Sequence, residues 1–247
     1  MYIKTDGIVL REIEYKDNDK LLTVLTKDLG KITVKARGVK SQRSKIKAGC
    51  QLFCYSEWVL TEFGGRYTAT EVNTKELFAE LQKDIERMYL ATYFVQVCDV
   101  IAQEDDPNEQ VLSLLLNSLY ALGKLQKPQT FVKAVFELRL MSLCGFMPDL
   151  RGCFVCGKDE CERFNITQGA LQCASCPSAG DIRMPMSEGT LAAMRYISYC
   201  DAKKLFSFSL SELALEQLAG IAESYLLTRL ERGFSTLDLY KSLFYLR

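Results

Sequence analysis

The sequence predicts an α+β protein: a five-stranded β-barrel at the N-terminus, then an all-helical domain carrying a four-cysteine insert. Three observations predict it. The first 80 residues read as short strands separated by turn signals, the period becomes helical beyond them, and two Cys-x-x-Cys pairs interrupt the helical part. The expected division is a β module over residues 1–80 and a helical module over 81–247, with the insert at about 150–182.

Within the β module the first expected strand runs from Ile3 to Glu12, broken at Gly7, and the second from Leu21 to Thr26. Asp28-Leu29-Gly30 is a turn signal. Lys31 to Arg37 then alternates strictly between polar and apolar residues, the mark of a half-buried strand. A fourth run, Gln51 to Glu62, is rich in aromatic and β-branched residues, and Gly64-Gly65 turns it into a fifth, Arg66 to Val72. Five short strands joined by tight turns predict a small barrel. The OB fold is the commonest five-stranded solution, and an SH3-like barrel is compatible with the same periodicity.

The helical module opens with an amphipathic segment from Lys83 to Glu104, its apolar face carried by Ile85, Met88, Tyr89 and Val95. Asp105-Asp106-Pro107 ends it, with the acidic cluster Glu104-Asp105-Asp106 expected to cap the helix that follows to about Leu125. A third helix, Thr130 to Leu143, is closed by Gly145 and Pro148. Further helices are expected over Ser187–Tyr199, Ser211–Glu231 and Thr236–Leu246, with capped starts at Ser187 and Ser211.

The insert reads Cys153-Phe154-Val155-Cys156, then 16 residues, then Cys173-Ala174-Ser175-Cys176. Two intervening residues let both thiolates of a pair reach one ion from a tight turn, and two such turns complete a tetrahedron. Cys153, Cys156, Cys173 and Cys176 are therefore the expected ligands of one structural Zn2+ per chain, since four thiolates leave no open position for chemistry. Cys161 sits in a charged stretch without a partner at this spacing and is left out of the set. Cys50, Cys54, Cys98, Cys144 and Cys200 fall on apolar-patterned segments and are expected to be buried small residues.

Charge is balanced over the whole chain, with 31 basic and 31 acidic residues, yet it is not evenly spread. No acidic residue occurs between Asp28 and Glu57, while Lys31, Lys35, Arg37, Lys40, Arg43, Lys45 and Lys47 all lie in that interval. The even spacing of Lys31, Lys35 and Arg37 puts them on one face of a strand whose other face carries Ile32, Val34 and Ala36. A basic strand face continued by a basic loop fits a phosphate backbone, so these seven residues are the expected nucleic-acid contacts, dominated by phosphate and tolerant of sequence. Among the nearby aromatics Phe53, Tyr55, Trp58, Phe63 and Tyr67, core packing is the expected role of Trp58 and most of the others.

Several classes are excluded. The chain has no histidine, which removes Ser-His-Asp and Cys-His catalysis and HExxH metalloproteases. No GxxxxGK[ST] or GxGxxG motif supports nucleotide binding, and no apolar run is long enough to span a membrane. Charges scattered through the first 20 residues leave no signal-peptide core, so a reducing cytoplasm is the expected location.

These residues together resemble the RecO family of bacterial recombination mediators. Gly7-Ile8-Val9-Leu10-Arg11 and Asp19 to Thr26 are similar to its opening strands. Gly30, Ala36-Arg37-Gly38 and Ser44-Lys45 are similar to its basic strand and loop, and Leu52-Phe53 to its next strand. Cys153, Cys156-Gly157, Phe164, Gly169, Cys173 and Cys176 resemble its zinc-binding form, with Gln168 a departure from a second glycine. The resemblance implies an OB-fold barrel, a helical domain holding a zinc element, and function without enzymatic catalysis. It also implies binding of single- and double-stranded DNA, annealing of complementary strands, and work with RecR in loading RecA onto strands coated by single-strand-binding protein. The C-terminal tail of that coat protein would meet the helical domain, and the protein would be cytoplasmic and nucleoid-associated. A zinc-ribbon RNA-binding or transcription-associated protein is the alternative reading of the same groove.

Overall fold

The computed structural model describes residues 2–177 and 180–244. Five strands, β1 (Tyr2–Tyr15), β2 (Asp19–Thr26), β3 (Lys31–Ala36), β4 (Tyr55–Phe63) and β5 (Arg66–Glu76), close into a barrel in the order β1-β2-β3-β5-β4. All neighbours are antiparallel except β3 and β5, which run parallel. Parallel closure by β3 and β5 is the connectivity of the OB fold and answers the choice of barrel left open by periodicity.

The inward set is that of the alternation. Ile32, Val34 and Ala36 of β3 are buried with Val9, Leu22, Val24, Trp58 and Leu60. The Trp58 indole N–H, which would otherwise be stranded in this core, donates to the Gly7 carbonyl at 3.1 Å. Gly7 does not break β1. The strand passes through it because β2 lies so close that a Cβ there would sit 2.8 Å from Val24 Cγ1. The irregularity falls instead between Val9 and Arg11, where the register with β2 shifts.

Another expectation fails at the start of β4. Gln51 to Cys54 is not strand: Phe53 adopts φ 66° and Cys54 N–H donates to the Gln51 carbonyl, closing a turn. Residues 37–54 form a chain of such turns, with Ser41, Ser44 and Lys47 N–H groups each donating to the carbonyl three residues earlier.

The chain divides into two compact units. The first holds the barrel with α1 (Ile85–Ile101), α2 (Glu109–Gly123) and the segment from Thr236, in the helix α6 (Ser235–Phe244). The expected end of that helix at Leu246 lies outside the described residues. Asp84 caps α1 by accepting from the Glu86 and Arg87 N–H groups. The cap of α2 is Asn108, accepting from Val111 N–H, and not the acidic cluster before it. Asp105 takes φ 56° in the turn instead, and Glu104 bridges to Gly30 and Lys31.

The second unit, Leu125–Ser235, contains α3 (Gln129–Leu143), α4 (Glu188–Tyr199), α5 (Glu212–Leu230) and the cysteine insert. Gly145, at φ 86°, ends α3 as expected, and Ser187 and Ser211 cap α4 and α5. Between α3 and α5 the buried Lys133 ammonium donates to Glu137 at 3.1 Å and Glu223 at 2.7 Å. Burial opposes its charge, but the two carboxylates outweigh that and hold its pKa above the ordinary lysine value.

Three strands that periodicity did not reveal, β6 (Arg163–Asn165), β7 (Ala170–Gln172) and β8 (Arg183–Pro185), form a small sheet in the order β7-β6-β8. Its hairpin turn lies tight against α5. A Cβ on Gly169, at φ 69°, would stand 2.5 Å from the Tyr225 hydroxyl, and Phe164 packs edge-on to the Tyr225 ring.

Candidate metal centre and nucleic-acid interface

The first cysteine pair lies in a turn before β6. Gly157, free to take φ 76°, lets its N–H donate to the Cys153 carbonyl at 2.8 Å while Cys153 N–H donates to Lys158 O. The second pair follows directly on β7. Its turn is braced by a buried amide relay: Asn165 Nδ2 donates to Gln172 Oε1, and Gln172 Nε2 to the Cys176 carbonyl. Neither amide was singled out from the sequence, because a polar residue on a three-residue strand carries no periodic signal.

The four Sγ atoms of Cys153, Cys156, Cys173 and Cys176 all lie within 4.8 Å of one another. Cys156 and Cys173 are 3.7 Å apart. A tetrahedral ion with sulfur ligands at about 2.3 Å requires sulfurs roughly 3.8 Å apart, so the donor set fits such an ion. Burial works against ionisation of Cys153, but N–H groups of Cys173, Cys156 and Val155 aimed at its sulfur bring the thiol down to about 6. Cys161 packs beside this group, with its thiol directed to the Lys158 carbonyl, and stands outside the four. Burial, together with the neighbouring thiolates, pushes it up to about 11.

Of the remaining cysteines, Cys50, Cys54 and Cys98 are buried as expected, while Cys144 and Cys200 are half-buried. Burial raises Cys50 to about 12 and Cys144 to about 11, which leaves both as thiols at neutral pH.

The seven expected basic contacts separate into groups. Lys31 projects from β3, but its ammonium donates to the Asp99 carbonyl of α1 at 2.6 Å and faces the Asp99 carboxylate at 3.5 Å. Lys35 sits 3.1 Å from Asp19 and 5.1 Å above the Tyr15 ring. Lys40 pairs with Glu14 at 3.2 Å. Arg37, Arg43, Lys45 and Lys47 are exposed, and among the described residues none has a carboxylate within ion-pair distance. Asp19 also accepts the Gly38 N–H, and that bond, with Lys35 beside it, holds its carboxyl below the usual range. One carboxylate thus pins the start of the basic loop and partly screens a member of the basic face.

Two hollows border these residues. One, of about 760 Å³, lies over the outside of the barrel and is lined by Lys35 and Arg37 among others. The other, of about 880 Å³, takes Lys40, Lys47 and Lys20 with Glu12 and Glu14, so its charge is mixed. Trp58 is wholly buried, and Phe53 nearly so.

Residues 1–78 match the family model described as Recombination protein O N terminal, and residues 82–238 match Recombination protein O C terminal. The chain belongs to the RecO family. The DNA repair protein RecO of Acetivibrio thermocellus is 33% identical over 244 residues, covering 98% of this chain and 97% of its own. That of Alkaliphilus metalliredigens is 29% identical over 246 residues, covering 98% and 100%. That of Symbiobacterium thermophilum is 31% identical over 246 residues, covering 96% of each. The resemblance read from short motifs therefore extends along nearly the whole chain. RecO is a family of recombination mediators and not of enzymes. No helix among the described residues is long and apolar enough to cross a membrane.

Proposed function

We propose that this protein is a cytoplasmic, nucleoid-associated recombination mediator that binds single- and double-stranded DNA and anneals complementary strands. With RecR it would load RecA onto strands coated by single-strand-binding protein, touching that protein's C-terminal tail through the helical domain. Residues 1–80 would be the DNA-binding domain and 81–247 the helical domain.

The observation that supports this reading best is the set of exposed cations Arg37, Arg43, Lys45 and Lys47, without carboxylate partners among the described residues, on a barrel of the RecO family. Two DNA strands repel each other. A surface that neutralises phosphate on both lowers that repulsion and raises their local concentration. Lys35 and Arg37 would hold phosphate from the strand face, with Arg43, Lys45 and Lys47 from the loop. Lys31, Lys35 and Lys40 would contribute fully once their present partners are displaced. Cys153, Cys156, Cys173 and Cys176 would hold one Zn2+, whose role is to lock the two turns together. The test is annealing of complementary strands precoated with single-strand-binding protein, with and without RecR. Annealing that RecR modulates is expected; no annealing of bare or coated strands would reject the proposal.

A further inference from the structure

The strand register assembles a second kind of surface on the outside of the barrel. Lys35 pairs with Leu21 on β2, and Leu21 pairs with Ile13 on β1. On its other side Lys35 pairs with Thr68 on β5, and Thr68 with Thr61 on β4. Paired residues share a face, and so do residues two apart along a strand. One outward face therefore carries Tyr15, Leu21, Lys35, Arg66 and Phe63, with Arg37 continuing just past the end of β3. These side chains line the hollow of about 760 Å³.

Phosphate binding alone does not account for this composition. Phe63, at the tip of the β4–β5 hairpin, is 89% exposed, and Gly64-Gly65 gives the hairpin a turn with no side chain beyond it. Ile13 and Tyr15 are exposed on the same face at 50% and 38%. A soluble protein that places a phenylalanine almost wholly in water, opposite Arg66 and across a groove from a lysine and an arginine, has paired apolar ring faces with cations. Arg66, like Arg37, has no carboxylate within ion-pair distance among the described residues.

We propose that this groove is a base-stacking subsite for unpaired nucleic acid: Phe63 and Tyr15 receive base faces, while Lys35, Arg37 and Arg66 hold the intervening phosphates. The ligand class is an unstacked single strand. The inside of a duplex offers no free base face, so duplex would bind through the cations alone. The inference rests on the proposed nucleic-acid role of Lys35 and Arg37 and adds the orientation of the strand, bases toward the barrel. It also adds Phe63 and Arg66 to the contacts, neither of which lies in the acid-free interval.

The test compares three probes of equal phosphate number by fluorescence anisotropy: an oligo(dT) strand, its abasic counterpart, and a duplex. The parent is expected to bind oligo(dT) more tightly than the abasic strand. Phe63→Ala is expected to weaken oligo(dT) binding about tenfold while changing abasic and duplex binding less than twofold, with Phe63→Trp restoring the preference. Unchanged thermal melting of Phe63→Ala, whose ring is in solvent, verifies the fold. Equal binding of oligo(dT) by parent and Phe63→Ala, or an equal loss on all three probes, overturns the stacking subsite. Lys35→Glu with Arg37→Glu separates the two claims. Loss on every probe from that pair beside a silent Phe63→Ala rejects stacking only; no loss from it rejects the nucleic-acid reading as well.

Discussion

Asp19 shows how one side chain can set both the shape and the strength of a basic surface. Its carboxylate accepts Gly38 N–H at 2.9 Å and lies 3.1 Å from Lys35. Asp19→Asn keeps an acceptor for Gly38 but releases Lys35, so single-strand affinity is expected to rise roughly two- to fivefold, the worth of one exposed ion pair. Its salt dependence should steepen at the same time. The pH dependence has a definite sign. The folded carboxyl titrates below its ordinary 3.8, so its stabilising contribution is complete above that value and is lost as pH falls through the lower folded one. Chemical denaturation below about pH 4 should therefore show the parent losing more stability than Asp19→Asn. Parallel acid limbs would contradict the role given to this residue.

At the scale of elements, the proposed ion would supply to the insert what its own small packing does not. Three strands of three residues each cannot bury a core, and structural zinc in such modules contributes on the order of 10 kcal/mol. Cys153→Ser is expected to lower bound zinc well below one per chain and to depress melting of the helical unit. Cys161→Ser should retain full zinc, since that thiol faces the Lys158 carbonyl. Metal analysis of both variants checks this, and loss of zinc from Cys161→Ser would place that thiol among the ligands.

The same scale shows what could be read from sequence. Strand β3 announces itself by strict alternation over three periods, and α4 and α5 by their capped starts at Ser187 and Ser211. The sheet of β6, β7 and β8 does not, since three residues make one and a half periods. The two cysteine pairs were legible because metal spacing is local. The Asn165–Gln172 brace was not, because it joins strands whose pairing only the fold creates. Gly7 was misread for a related reason: a glycine marks either a break or a close approach, and only the neighbouring Val24 distinguishes them. The basic interval was plain in the sequence, but the neutralisation of Lys31 by Asp99, 68 residues later, was not.

Over the whole molecule, a net charge of zero conceals a segregated surface. Net charge would predict weak attraction to any polyanion, whereas the acid-free interval predicts binding driven by counterion release despite overall neutrality. Phe63 and Arg66 lie outside that interval and join its face only because the barrel closes β5 against β3. Pattern in one dimension marked the cations, and topology in three brought the aromatic ring to them.

The central claim, that the barrel works by neutralising phosphate, is tested most directly by the slope of log affinity for a single strand against log salt concentration. The parent is compared with a variant carrying Arg37, Arg43, Lys45 and Lys47 all changed to alanine, its fold verified by the fluorescence of the buried Trp58. The slope is expected to fall by about 0.7 for each phosphate contact removed, roughly 2 to 3 in all, with a matching loss of affinity at low salt. An unchanged slope and affinity in a correctly folded variant would contradict the claim.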